Sequence, residues 1–295
     1  MPLTHFICPE TNEKISFEDA PTYFDERGIM PAAAVRATLA DLDDVRRKGA
    51  HLSASMLNPS TTCRREVVMK RFTDYGQTPW AMWDADEGTL YHQILSTWGA
   101  GDPLRFYEQR LPPMGRNETL IPGVPLTGRS DEIYTIVLDP AGKEVEIIDF
   151  KTTRFPWKKT KDGKPVDYMR PEEHVPQLNT LRYLFEDSDP YKRTVRALWV
   201  WRIYKGSYER TATFRKVPIP MVTREALLDI IGEHASSLQG YLNAAEAATT
   251  PEELEAAIDA APMDGNDKQM FNGTKCSKYC IMYDDCFKRK GLARF

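Results

Sequence analysis

The chain has 295 residues, of which 41% are hydrophobic and 28% are charged, and its formal net charge is −4. This is the composition of a globular protein with room for one large domain or two small ones. The sequence has no apolar run near the roughly 18 residues of a membrane span, and it begins without a secretory signal pattern. We therefore expect a cytoplasmic protein that does not bind membranes. The slightly acidic charge leaves nucleic-acid binding open, because a metal-dependent nuclease needs only a local basic surface.

A basic helix is predicted after an alanine-rich N-terminal helical arm. Residues 31–48 place apolar side chains at helical spacing. Further along, Ser60 or Thr61 is a suitable N-cap for a helix that ends near Phe72. Cys63 would then lie in the first turn, where the helix dipole favours a thiolate. A solvated helix with a buried cysteine would have the same pattern. Two basic side chains of this turn are candidates for nucleic-acid binding, Arg64 and Arg65.

The next element, residues 80–99, is predicted to be a helix that carries a candidate metal ligand. His92 follows Gly88 by four residues, so both lie on one face of this helix. A neutral imidazole nitrogen is a common metal ligand. A lone histidine is more often an ordinary core or surface residue, but His92 lies upstream of an acidic hairpin.

That hairpin is predicted from two β-branched, apolar runs, residues 125–138 and 145–153, with an Asp-Pro-Ala-Gly turn between them. Asp149 and Lys151 are two residues apart, so they project from the same face of a strand. Folding about the turn brings Asp131 nearly opposite position 149 or 150, where cross-strand side chains lie about 5 Å apart. Two carboxylates at that distance suit one hard cation. A solvated hairpin with charges on its wet face is the alternative.

A basic loop leaves Lys151 directly. Residues 154–170 contain six basic and two acidic side chains, interleaved with three aromatic ones. Basic groups neutralise phosphates, and aromatic rings stack on unpaired bases. We therefore interpret this segment as a nucleic-acid-binding surface rather than an ordinary solvated loop. Its candidate contact residues are Trp157, Lys158, Lys159 and Lys161.

The second half of the chain predicts more helices and strands. Their expected bounds are a helix over 172–185, strands over 195–204 and 210–218, and helices over 223–242 and 251–260. Gln177 lies off the apolar side of the first of these helices, where it would orient a water or a phosphate. By itself it would be an ordinary helix glutamine.

Cysteines form the second distinctive pattern. The chain has five cysteines, and this odd number argues against a framework made only of disulfides. Cys276, Cys280 and Cys286 form a C-x3-C-x5-C run, and Cys63 is the obvious fourth thiolate. Four thiolates suit either zinc or an iron–sulfur cluster, and ligand type alone does not distinguish them. Such a site would join the N-terminal region to the tail, so its binding free energy would add to the folding free energy.

The ordered set of motifs resembles a known nuclease family. The set is Cys63, G-x-x-x-H ending at His92, G-x-x-D ending at Asp131, D-x-K-T starting at Asp149, Gln177 and the three C-terminal cysteines. It resembles the RecB-like branch of the PD-(D/E)XK nuclease superfamily. More narrowly, it is similar to iron–sulfur, CRISPR-associated RecB-family exonucleases and to the AddB nuclease domain. The resemblance covers residues 53 to 290.

The resemblance implies an α/β fold with a restriction-endonuclease-like core, in which helices flank a mixed central sheet. It implies a single nuclease domain over 1–295, made of an arm (1–52), a cluster-binding helical module (53–72 and 223–295) and a core (80–220). Lys151 would position or deprotonate the attacking water, and Gln177 would help to orient the site. The ligands of Mg²⁺ or Mn²⁺ would be His92, Asp131, Asp149 and Phe150. Those of a [4Fe-4S] cluster would be Cys63, Cys276, Cys280 and Cys286.

Two positions depart from the family pattern. The family usually has a tyrosine four residues after the glutamine, where this chain has Leu181, and Tyr183 follows two residues later. The first C-terminal cysteine pair is separated by three residues instead of two, which keeps zinc as an alternative.

The expected function is that of a metal-dependent exonuclease on single-stranded DNA or frayed duplex ends. No G-x-x-x-x-G-K-[ST] loop for an ATP motor is present, so a helicase, a recombinase or CRISPR adaptation proteins would be its partners. The alternatives are a catalytically weak DNA-end binding or adaptor module and a zinc-stapled structural protein.

Overall fold

The computed structural model describes residues 3–36, 39, 51–73, 75–78, 90–97, 99, 101–113, 120–135, 141–153, 158–159, 165–166, 171–204, 214–264, 280, 282 and 286. The chain is divided into two compact units. The first contains residues 1–50, 59–87 and 237–295, and the second contains residues 51–58 and 88–236. In the described part of the chain, none of the helices combines the length and the apolar character needed to cross a membrane.

The first unit contains a small sheet with strand order β2-β1-β4. Strand β1 (Leu3–Ile7) pairs antiparallel with β2 (Lys14–Ser16) and parallel with β4 (Tyr75–Gln77). Helix α1 (Ala20–Glu26) follows the hairpin. Aromatic rings fill the core beside it, because Phe6 meets Phe17 and Phe24 edge-on at centroid distances of 5.3 and 5.7 Å. Cys8 lies in the same core and is fully buried.

Helices α2 (Arg64–Phe72) and α5 (Pro251–Ala260) also contact each other in the first unit. Helix α5 begins with a capping box, in which Thr250 and Glu253 each accept a hydrogen bond from the other's backbone N–H. Helix α2 begins later than predicted: its N-cap is Cys63 instead of Ser60 or Thr61.

Helix α2 starts late because the backbone N–H of its first residue, Arg64, is bound by a side chain from a distant part of the chain. Cys63 makes no side-chain capping bond. The backbone N–H of Arg64 donates to the Asp264 carboxylate at 2.9 Å. A carboxylate from a distant segment thus satisfies an N-terminal donor that a local serine or threonine would otherwise cap.

The second unit is organised around a mixed, six-stranded sheet in the described residues, with the order β11-β10-β7-β6-β3 and with β5 paired to β6. Pairing is parallel between β7 and β10 and between β3 and β6, and it is antiparallel elsewhere. The strands are β3 (Leu52–Ser53), β5 (Arg105–Leu111), β6 (Leu126–Thr135), β7 (Glu144–Thr153), β10 (Thr194–Tyr204) and β11 (Phe214–Ile219). A short 3-10 helix, Ala54–Met56, follows β3, and a two-stranded hairpin, β8 (Lys158–Lys159) with β9 (Pro165–Val166), follows β7.

Helix α3 (Val175–Ser188) connects the parallel strands β7 and β10 and packs on the sheet. Its fully buried side chains recur at the predicted spacing, at Leu178, Leu181 and Leu184. The predicted single helix over 172–185 is divided, because Pro171–His174 form a 3-10 helix before α3 begins. A side chain at Gly128 would overlap Leu181, so glycine there permits the close approach of α3 to β6.

The opposite face of the sheet is covered by the helical residues 90–97. Tyr91 and Leu95 from this segment pack against Ile148, Phe150 and Ile203 of the sheet. After β11, helix α4 (Arg224–Ala247) begins where it was predicted to, since Thr223 Oγ1 accepts the backbone N–H of Ala226. The mixed α/β architecture expected from the sequence is therefore present, with helices on both sides of the sheet.

Candidate functional site

The candidate site lies where the ladder between β6 and β7 stops. The paired stretch ends with Glu132 opposite Ile148. One further step in the same register brings Asp131 level with Asp149, as the turn between the strands predicted. The Asp131 carboxylate there accepts a hydrogen bond from the backbone N–H of Phe150. The Asp131 carboxylate therefore accepts a hydrogen bond that a backbone carbonyl would accept in a regular β-ladder, and this bond holds the carboxylate oxygens beside β7.

Three potential metal ligands converge at this point: His92, Glu108 and Asp131. Their ligand atoms all lie within 4.8 Å of one another, and among the described residues no other group of His, Cys, Asp or Glu side chains meets this condition. His92 Nδ1 is 3.4 Å from Asp131 Oδ1 and 3.7 Å from Glu108 Oε1. The His92 Nε2 atom lies 3.1 Å from the carbonyl oxygen of Phe150. The carbonyl is therefore the oxygen that Phe150 offers to this site, since its ring packs in the core.

Glu108 was not recognised in the sequence. Its neighbours on β5 pair with β6 as Tyr107 with Glu132 and Gln109 with Ser130, so Glu108 lies level with Asp131. Its φ of 52° is in the left-handed region, a conformation that costs a non-glycine residue roughly 1–3 kcal/mol. Arg129 binds the same carboxylate at 2.7 Å. A 14-residue connection, residues 112–125, hides the register of β5 with β6 in the sequence.

Asp149 forms the second half of the site with Lys151 and Gln177. The Lys151 ammonium lies 2.8 Å from Asp149 Oδ2, and Gln177 Nε2 donates to Asp149 Oδ1 at 3.2 Å. Burial raises the pKa of Asp149 to about 6, against the attraction of Lys151. Burial would lower the pKa of Lys151, but the negative charges of Asp149 and Asp131 outweigh it and raise that pKa. Lys151 therefore stands in the site as a cation.

The carboxylates around His92 stabilise positive charge at this site. Burial would lower the pKa of His92, but hydrogen bonds and charge from Asp131 and Glu108 outweigh burial and raise it to about 10. An imidazolium thus sits between two carboxylates. Three carboxylates, one carbonyl oxygen and one imidazole suit Mg²⁺ or Mn²⁺. The residues that are present therefore fit the predicted metal.

The predicted cysteine site lies partly outside the described residues, because Cys276 is not among them. Cys63 is 4% exposed, and its thiol donates to the carbonyl of Pro262 at 3.9 Å. Cys286 is buried and Cys280 is partly buried, and neither forms a disulfide. Within the described part of the chain, these sulfur atoms do not form a group within 4.8 Å. The four-thiolate site therefore stays a prediction.

Arg64 and Arg65 do not have the surroundings expected of nucleic-acid-binding residues. The Arg64 guanidinium donates to both oxygens of Asp264, at 2.9 and 2.7 Å. Arg65 is 2% exposed and donates to the backbone carbonyls of Ala261 and Asp259, at 2.7 and 2.6 Å. Both guanidinium groups thus join α2 to the end of α5 and the residues after it, which gives them structural contacts. Their predicted role in nucleic-acid binding stays a prediction.

The predicted basic loop is described only in its backbone pairing. Lys158 and Lys159 form β8, while Trp157 and Lys161 lie outside the described residues. Nothing in the described residues therefore tests this part of the prediction.

Tyr183 lies away from the site. It is 7% exposed, and its hydroxyl donates to the carbonyl of Val222 at 2.8 Å. The Arg224 guanidinium lies 4.7 Å from the centre of its ring. These contacts give Tyr183 a packing role, and Leu181, four residues after Gln177, lies in the core.

No family model matches this chain, and no curated protein matches it. Among solved structures, the crystal structure of SSO0001 is similar to 87% of this chain and to 95% of its own chain, with 16% sequence identity and a TM-score of 0.47. A likeness at this level does not assign a family, so the function is argued from the site.

Proposed function

We propose that this protein is a metal-dependent deoxyribonuclease of the RecB-like PD-(D/E)XK type, acting on DNA strands with free ends. One observation carries the proposal: His92, Glu108 and Asp131 converge within 4.8 Å beside the paired side chains of Asp149 and Lys151. Clustered carboxylates repel a phosphate unless a cation lies between them. A lysine held beside such carboxylates suits phosphodiester hydrolysis better than simple DNA binding.

The proposed metal ligands are Asp131, Asp149, His92, Glu108 and the carbonyl oxygen of Phe150. The ion would lower the pKa of a bound water and stabilise negative charge on the scissile phosphate. The restriction-endonuclease-like core belongs to the same proposal, and the mixed sheet with helices on both faces is compatible with it.

Lys151 is assigned the role of positioning the attacking water and stabilising charge. Its raised pKa keeps the side chain protonated, so it cannot accept a proton in the resting site. Gln177 holds the other oxygen of Asp149 and thereby fixes the direction of that carboxylate. Glu108 is held by Arg129, which directs its carboxylate in the same way.

The [4Fe-4S] cluster on Cys63, Cys276, Cys280 and Cys286 is part of the proposal as a structural group. Its support is the buried position of Cys63 beside Pro262, at the start of the segment that leads to the three C-terminal cysteines. Zinc remains the other metal that four thiolates accept.

The test is degradation of end-labelled linear single-stranded DNA with Mg²⁺ or Mn²⁺. A closed circular strand and the Lys151→Ala variant serve as controls. We expect the wild type to degrade only the linear strand and the variant to degrade neither. Absence of cleavage by metal-loaded wild-type protein would contradict the proposal and favour the DNA-end binding module.

A further inference from the structure

Three basic residues stand side by side across three neighbouring strands of the second unit. On β7 and β10, Lys151 pairs with Arg202. On β10 and β11, Arg202 pairs with Arg215. Neighbouring strands lie about 4.8 Å apart, so the row extends about 10 Å from Lys151. We call these three residues the basic row.

The basic row lies on the face of the sheet that carries the candidate metal site. Residues two apart in a strand share a face, so Lys151 is on the face of Asp149. The registers place Val200 beside Asp149 and Val217 beside Val200. Arg202 follows Val200 by two residues, and Arg215 precedes Val217 by two residues on the antiparallel strand. The basic row therefore lies about 7 Å from the row formed by Asp149, Val200 and Val217, on the same face.

Like charges on directly paired positions destabilise a sheet, so an adjacent pair of arginines needs a reason. Asp149 offsets the charge of Lys151 through its contact at 2.8 Å. The 3-10 helix Pro171–His174, which contains Glu172 and Glu173, packs against β11. His174 adds no charge, because burial and the positive charges of Lys151 and Arg202 lower its pKa to about 4.

The residue of the basic row farthest from the metal site, Arg215, is exposed to solvent. The Lys151 side chain is 37% exposed, Arg202 is half-buried and Arg215 is exposed. A ligand can therefore reach all three groups from solvent. Arginine is suited to this place because its planar guanidinium binds two phosphate oxygens at once.

We propose that Arg202 and Arg215, continuing from Lys151, bind phosphates of the single-stranded DNA next to the one being cleaved. The inference rests on the proposed nuclease function and adds the direction of the strand. The DNA would cross β7, β10 and β11 instead of running along them. Contacts to phosphates carry no base specificity, so binding here would be independent of sequence.

The test measures how the affinity for a labelled linear oligothymidylate depends on salt. Ca²⁺ replaces Mg²⁺, and the intact length of the DNA is verified afterwards on a gel. Each phosphate contact on a single strand contributes about 0.7 to the slope of log K against log salt. We expect Arg202→Gln with Arg215→Gln to reduce the magnitude of this slope by about 1.4.

The matched control removes the same charge from the same two strands. Arg196 pairs with Glu144 near the other end of β10, and Lys216 lies over the Trp199 ring and binds Glu146. We expect Arg196→Gln with Lys216→Gln to leave the slope unchanged. Equal slopes for the two double variants would overturn the inference.

Two further variants separate phosphate contacts from folding. Arg202→Lys with Arg215→Lys keeps both charges and should retain most of the slope. Arg215→Gln alone changes an exposed residue and should reduce the slope by about 0.7. An unchanged slope in this single variant also overturns the inference.

The failure of the basic row can be distinguished from the failure of the proposed function. If the wild type cleaves linear DNA while these slopes do not change, only the assignment of the basic row is wrong. If the wild type neither binds nor cleaves DNA, the proposed function is wrong as well.

Discussion

The Lys151 ammonium lies 2.8 Å from Asp149 Oδ2, a carboxylate oxygen of a residue that is only 1% exposed. Asp149 is buried although a buried carboxylate is unfavourable, and its pKa is raised to about 6. A buried carboxylate with a raised pKa is typical of a functional site.

Asp149→Asn should make the metal-free protein more stable while it abolishes cleavage. An aspartate whose folded pKa is raised disfavours folding where it is ionised. The destabilisation is absent below its ordinary pKa of about 4, grows between there and about 6, and is constant above. The melting temperature of the variant should therefore exceed that of the wild type at alkaline pH and equal it in acid. A variant that is less stable at alkaline pH would contradict the raised pKa.

Glu108→Gln should weaken binding of Mg²⁺ or Mn²⁺, because it removes a charged ligand and leaves the backbone unchanged. Loss of an outer-shell partner costs roughly 10–100-fold in metal affinity, and loss of a direct ligand should cost at least as much. Isothermal titration would measure the affinity, with Glu144→Gln, an exposed carboxylate on β7, as the control. Unchanged affinity would remove Glu108 from the ligand set.

Glu108→Gly tests the backbone at the same position. Glycine adopts a φ of 52° without the strain of a side chain. We expect Glu108→Gly to raise the free energy of unfolding by about 1 kcal/mol relative to Glu108→Gln, although both variants lose the ligand. Equal stability of the two variants would mean that the backbone relaxes when the carboxylate is removed.

The difference between Asp131 and Glu108 explains which parts of the site could be predicted. The Asp131–Asp149 pair follows from one local turn, whose position sets the register of both strands. Glu108 joins them only through the pairing of β5 with β6, and no local rule sets a register across a long connection. Periodic apolar residues made the longer elements of the second unit predictable, whereas the short strands of the first unit, β1, β2 and β4, were not predicted.

The role of Arg65 could not be predicted for a related reason. Its acceptors are backbone carbonyls of Ala261 and Asp259, almost 200 residues away in the chain. A sequence pattern shows that a side chain is charged, but it does not show that a distant segment buries that side chain. The basic helix was therefore interpreted as a DNA-binding surface. Only the packing of α2 against α5 shows that this guanidinium is enclosed.

Arg65→Gln should therefore affect stability and not DNA binding. The change leaves buried backbone carbonyls without a donor, which costs roughly 1–3 kcal/mol for each unsatisfied group. Urea denaturation would measure the loss of unfolding free energy, and the salt dependence of DNA binding should stay as in the wild type. A reduced salt slope with unchanged stability would restore the predicted DNA contact.

Binding of the proposed metal ion should release a proton from His92. In the ion-free site, burial is outweighed by Asp131 and Glu108, which raise the pKa of His92 to about 10. The imidazole is therefore protonated at neutral pH, and the ion must displace that proton. Affinity should rise about tenfold per pH unit until the pH reaches this pKa.

Titrations of Mn²⁺ in buffers of different ionisation enthalpy would count the protons released. We expect about one per ion for the wild type and none for His92→Asn. Release of the same number of protons from both proteins would assign the titrating group elsewhere.

Substitution of single cysteines should divide the five into two classes. Cys63, Cys276, Cys280 and Cys286 are the proposed cluster ligands, while Cys8 lies in the core of a separate small sheet. Metal analysis of anaerobically purified protein should find iron in the wild type and in Cys8→Ala. Cys280→Ala should lose iron, visible colour and stability together, because cluster binding contributes to the folding free energy. Stoichiometric zinc in a colourless wild type would replace the cluster by a zinc site, and retention of iron in Cys280→Ala would remove Cys280 from the ligands.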